Sequence, residues 1–150
     1  ESKRRYFKHY FDTDPDFDLL PGVRELIEDY HRSGIKLVLA SSAHMNTINW
    51  VFEKFHLDGY FTGKISGADL KESKPHPEIF ELAAEMAAEP RENCMVIEDS
   101  TNGIRAANAA GIFVAAYAGG HSTGQNYMGA NLVVSNFADL KPDKIGHFFL

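Results

Sequence analysis

Two hydrophobic rhythms alternate along the chain. Val23, Leu26, Ile27 and Tyr30 recur at i, i+3, i+4 and i+7, the face of an amphipathic helix. Gly34 is placed to end that helix. Ile35 to Ala40 is short, almost continuously apolar and flanked by Gly and Ser, which predicts a strand buried on both faces. A helix follows, with Ile48, Val51, Phe52 and Phe55 on one side. Next come a short strand at Lys64 to Ser66 and a helix started by Pro77, with Phe80, Ala83, Ala84 and Ala87 on one face. Cys94 to Ile97 reads as a strand, Ser100 to Ala110 as a helix stopped by Gly111, and Ile112 to Ala116 as a further strand. A glycine-rich loop leads to a last small strand at Leu132 to Val134 and a C-terminal turn or helix. Strands alternating with helices predict an α/β, Rossmann-like three-layer sandwich: a mostly parallel sheet with helices on both faces.

At 150 residues, 44% hydrophobic and 24% charged, the chain fits a single soluble globular domain. Its formal charge of -6 argues against a broad nucleic-acid surface or an anionic membrane as partner, and leaves room for a focal phosphate pocket. No apolar run approaches the roughly 20 residues of a membrane helix, and the N-terminus lacks the plan of a signal peptide, so a cytoplasmic location is expected. The single cysteine, Cys94, cannot form an internal disulfide and reads as a small buried residue entering a strand. Ser2 to Phe11 looks like the end of a helix that begins elsewhere, so the chain reads as a fragment. Residues 1–18 are then a helix end and linker, and 19–150 the core domain.

The candidate chemistry stands just after three apolar strands. Ser41-Ser42 follows the first, Lys74 lies in the loop after the second, and Glu98-Asp99 ends the third. In a parallel sheet these positions converge on the carboxyl edge, where such folds bind ligands. A hydroxyl and free helix N–H groups hold phosphate oxygens, a lysine neutralises them, and paired acids suit a hard cation such as Mg²⁺. Together they describe a phosphoryl-transfer site. Singly, Ser41 reads equally as a helix cap, Lys74 as a solvated charge, and Glu98 or Asp99 as an N-cap.

From about Leu19 to Leu140 the chain resembles the haloacid dehalogenase-like superfamily, in particular its phosphatases and sugar phosphomutases of the β-phosphoglucomutase type. The likeness is carried in order by Leu20-Pro21-Gly22-Val23, Gly34-Ile35-Lys36-Leu37-Val38-Leu39-Ala40-Ser41-Ser42, Lys74-Pro75-His76-Pro77-Glu78-Ile79-Phe80, Val96-Ile97-Glu98-Asp99-Ser100 with Gly103, and Ala109-Ala110-Gly111. The resemblance implies phosphate binding by Ser41 with Ser42, charge stabilisation by Lys74, and Mg²⁺ held by Asp99 with Glu98 assisting. It also implies a small phosphomonoester as substrate, a sugar phosphate among the options.

The family's first motif, an apolar strand ending in Asp-x-Asp that carries the nucleophile, has no counterpart here. Asp12-Thr13-Asp14 imitates its spelling but follows Lys8-His9-Tyr10-Phe11 and precedes Pro15. It also sits directly before Leu19, where the family places a whole cap domain in between. An EF-hand over Asp12, Asp14 and Asp16 fails too, because Phe17 stands where that turn needs Gly and Val23 where it needs Glu. Ser42-Ala43-His44 departs from the usual Ser-Asn-Ser-like run; His44 reads as an exposed first-turn residue or a phosphate or substrate contact, and His76 as a loop residue first and a substrate contact second. The other histidines have no metal-ligand spacing, and Gly119, Gly120 and Gly124 simply permit turns.

The resemblance implies attack by an aspartate to give an aspartyl-phosphate, discharged by water or a sugar hydroxyl. The nucleophile strand lies at the sheet centre in the family. Its absence is expected to leave two half-sheets with unpaired edges, and residues 1–150 alone inactive. The retained alternatives are a noncatalytic phosphate-binding or scaffold domain, and carbon–halogen hydrolysis, against which the Glu98-Asp99 pair speaks.

Overall fold

Helix α1 (Val23–Arg32) turns the predicted apolar face inward, burying Leu26 and Tyr30. Gly34 ends it at φ +78, a left-handed conformation that costs glycine little, while Gly34 N–H and Ile35 N–H donate to the carbonyls of His31 and Tyr30. The computed structural model describes residues 19–119 and 126–149. The helix end expected at Ser2 to Phe11, the linker, the Asp12-Thr13-Asp14 imitation, and Gly120 and Gly124 lie outside the described residues.

The expected alternation follows: β1 (Val38–Ser41), α2 (Met45–Phe55), β2 (Gly63–Ser66), α3 (Glu78–Ala87), β3 (Met95–Glu98), α4 (Thr101–Ala109), β4 (Phe113–Tyr117), β5 (Leu132–Val134) and the short α5 (Pro142–Ile145). Every strand pair is parallel. Among the described residues the strands form two sheets, β1-β2 and β3-β4-β5, with no ladder joining β1 to β3.

Helix packing carries the core across this break. On one face Ile65, Ile79, Phe80, Val96, Ile104 and Val114 form one cluster, with Val38 and Ala40 of β1 against it. On the other, Leu26 and Tyr30 of α1 pack with Ala115, Tyr117 and Leu140, joined by Leu37 and Met95. Ile48, Phe52 and Phe55 of α2 form a third cluster with Leu57 against Leu39. Both helix layers therefore span the two sheets.

The break corrects one expectation. The first strand was predicted from Ile35 and buried throughout; it begins at Val38, Ile35 is 39% exposed, and all four residues of β1 are half-buried. Only β2 flanks β1 among the described residues, so its other edge lacks the neighbour that would bury it. β3 shows the same effect, with Ile97 37% exposed, whereas β4, paired on both sides, is buried from Val114 to Tyr117. Smaller shifts appear elsewhere. β3 and β4 each start one residue later than predicted, Cys94 is half-buried just before β3, and α3 buries Ile79 with Phe80 and Ala84, leaving Ala83 and Ala87 half-exposed.

Candidate active site

The loop after β1 is built by two hydroxyls. Ser41 Oγ accepts the Ala43 N–H at 3.1 Å, which bends the chain toward α2. In register beside it, Ser66 ends β2, is 2% exposed, donates to the Ala43 carbonyl at 2.6 Å and accepts the Ala68 N–H at 3.2 Å. Those bonds tie the two loops together. A Cβ on Gly67 would stand 3.3 Å from Ser42 Cα, so the second loop lies close under the first. Ser42 is exposed at the rim, and His44 occupies the N-cap of α2 without a side-chain capping bond. Ser41 thus braces the turn and is not the cap of α2.

Lys74 leaves the loop after β2 and reaches Glu98 at the end of β3, its Nζ 2.8 Å from Oε2, with side chains 13% and 12% exposed. This contact shows that the carboxyl ends of both sheets face the same way. Lys74 is also 5.1 Å from the Phe80 ring centroid, within cation–π range. The solvated-charge reading of Lys74 is thereby excluded. The Lys74–Pro75 peptide is cis, and His76 Nδ1 accepts the Glu78 N–H at 3.2 Å, so this histidine braces the start of α3.

Glu98 uses its second oxygen locally, accepting the Asp99 N–H at 3.1 Å and the Ser100 hydroxyl at 3.2 Å. Ser100, and neither acid, caps α4, its Oγ accepting the Gly103 N–H at 3.0 Å. Asp99 is exposed beside this network. Partial burial, then the charge of Glu98 and a hydrogen bond with it, push the Asp99 carboxyl above its ordinary range, against a smaller downward pull from Lys74.

Two adjacent acids, one of them destabilised as an anion, are a donor set that a hard cation would relieve. No group of three or more His, Cys, Asp or Glu side chains able to hold a metal occurs among the described residues. The described residues thus fit Mg²⁺ as a partial set, with the remaining oxygens to come from water, phosphate or other protein groups.

The structure brings Lys74, Glu98 and Asp99 into one cluster and sets Ser41 and Ser42 at the end of β1 on the same edge. The sequence reading missed Ser66 and left Gly103 without a role. A polar residue closing a short apolar strand was the available signal for Ser66.

A model of the haloacid dehalogenase-like hydrolases matches residues 3–111. The chain belongs to that family. Within it, the chain is 35% identical over 123 residues to the β-phosphoglucomutase of Bacillus subtilis, covering 82% of this chain and 52% of that protein. It is 35% identical over 112 residues to a phosphorylated carbohydrates phosphatase of Thermotoga maritima, covering 75% and 49%. The crystal structure of CbbY from Rhodobacter sphaeroides in complex with phosphate superposes with a TM-score of 0.83 at 28% identity, over 93% of this chain and 63% of that one. The chain thus spans about half the length of these curated relatives. The likeness supports the Rossmann-like α/β fold and the phosphatase and phosphoglucomutase branch of the family, whose members are enzymes. No helix among the described residues is long and apolar enough to cross a membrane.

Proposed function

We propose that this chain is the larger part of the catalytic core of a cytoplasmic, Mg²⁺-dependent phosphoryl-transfer enzyme acting on a small phosphomonoester, a sugar phosphate by preference. The observation that carries the reading is the Lys74–Glu98 pair, with Asp99 beside it, on the same strand edge as the Ser41 loop. The names of the sugar-phosphate relatives point the same way.

In this reading Ser41, Ser42 and the N–H groups entering α2 hold phosphate oxygens, and Lys74 offsets their charge. Asp99, with Glu98, would hold Mg²⁺, which when bound supplies further positive charge to the transferring group. The nucleophile is an aspartate on a segment that pairs between the open edges of β1 and β3. Its carboxylate oxygen attacks phosphorus, the phosphorus–oxygen ester bond breaks, and the leaving oxygen takes a proton from the second aspartate of the same Asp-x-Asp motif, which recovers it from the water or hydroxyl of the next step. Water or a sugar hydroxyl then discharges the aspartyl-phosphate.

Residues 1–150 alone bind phosphate without turning substrate over. The test compares that chain with the longer polypeptide, both checked by intact mass, for phosphate release or isomerisation of sugar phosphates with and without Mg²⁺. Turnover by the longer protein alone is expected. Turnover by residues 1–150 refutes their proposed inactivity, and phosphate binding without turnover in the longer protein favours a noncatalytic domain.

A further inference from the structure

Gly103 sits in the first turn of α4, buried, at a position where alanine is the better helix former. No left-handed backbone explains it, because its φ is not positive. The neighbour explains it. A Cβ at Gly103 would lie 2.0 Å from Glu98 Cδ, 2.1 Å from Cγ and 2.2 Å from Oε2, well inside van der Waals contact. The Glu98 side chain therefore occupies the volume that any larger residue at 103 would claim.

That volume fixes more than packing. Both oxygens of Glu98 are in use, Oε1 by the Asp99 N–H and Ser100 hydroxyl and Oε2 by Lys74. Pushing the carboxylate off its seat removes the one ion pair that Lys74 makes among the described residues. We propose that Gly103 is a positioning residue: its bare Cα is the seat of the Glu98 carboxylate, and through that carboxylate it sets where the Lys74 ammonium meets phosphate. The role of Lys74 rests on the function proposed above; the seat itself rests on geometry alone.

The test is a double-mutant cycle. Gly103→Ala, Glu98→Ala and the pair are compared, because Glu98→Ala removes the Cγ, Cδ and carboxylate oxygens that a Cβ at 103 would meet. In ¹⁵N-lysine-labelled residues 1–150, the Lys74 ammonium is expected to give a protected resonance that Gly103→Ala abolishes as fully as Glu98→Ala does. In the longer protein, inorganic phosphate should bind about tenfold more weakly in Gly103→Ala, and Gly103→Ala should cause no further loss in the Glu98→Ala background. An unchanged Lys74 resonance in Gly103→Ala, or an equal further loss of affinity without Glu98, overturns the proposal. If Gly103→Ala does not fold, Gly103→Ala/Glu98→Ala decides: folding of that pair supports the seat, and failure overturns it. A wild-type protein with the protected resonance but no phosphate affinity refutes the phosphate reading and leaves the seat standing.

Discussion

Lys74 Nζ lies 2.8 Å from Glu98 Oε2, joining the loop after β2 to the end of β3 across 24 positions of the chain. Because both side chains are nearly buried, removing one strands the other's charge. Lys74→Met is expected to cost on the order of 2–3 kcal/mol, and Lys74→Met/Glu98→Leu less than the sum of its single changes. Urea denaturation across the double-mutant cycle measures the coupling. Additive single changes would show that the contact carries no energy.

Asp99 gives a pH signature of opposite sign to that of an ion-paired acid. Its carboxyl lies above the ordinary value of 3.8, so the folded chain holds the proton more tightly than the unfolded chain, and stability falls as pH rises through that window. Asp99→Asn should therefore raise Tm by on the order of 1–2 °C at neutral pH, with the gain vanishing in acid. The same variant should blunt the rise of Tm with added Mg²⁺. Calorimetry at neutral and acid pH, with and without Mg²⁺, reads both effects.

Tyr30 tests the far face of the core. Its hydroxyl donates to the Leu140 carbonyl, and burial pushes its pKa upward from 10.0. The folded chain keeps this proton where the unfolded chain releases it, so the contribution is full below pH 10 and is lost as pH rises beyond it. Tyr30→Phe should cost about 1 kcal/mol at neutral pH and flatten the alkaline decline in stability. Urea titrations from pH 8 to about pH 11 follow the two curves converging.

The half-exposed strands should also exchange their amides faster. Among the described residues, β1 and β3 each pair on one side, and β4 on both. In residues 1–150, hydrogen exchange from Val38–Ser41 and Met95–Glu98 is expected to run about tenfold or more ahead of exchange from Phe113–Tyr117. In a polypeptide that carries the proposed nucleophile strand, the difference should close. Equal protection in the short chain would mean that β1 and β3 already have partners on their open sides.

The alternation of elements and the carboxyl-edge placement of Ser41, Lys74 and Glu98-Asp99 were legible because periodicity and turn residues are local. Burial was not. Ile35 read as part of a strand buried on both faces and Ile97 as the end of an apolar strand, yet their exposure depends on which strands lie alongside, and no local pattern records that. Glu98 shows the other limit. The resemblance implied that it assists Asp99 at the metal, but its bonds to Lys74 and Ser100 arise from a loop crossing and a helix cap that spacing does not reveal. Ser66 escaped notice because its partner is a backbone carbonyl, which has no letter in the sequence.

The helix layers that cross the break between β1 and β3 give it the character of a mould. Leu26 and Tyr30 on one face and Ile79 and Phe80 on the other are packed against both sheets without help from a ladder between them. A strand entering there finds its walls already built, so most of the ordering entropy falls on the newcomer alone. Under the function proposed above, chemistry begins only once that strand is in place, and assembly becomes the first step of the reaction.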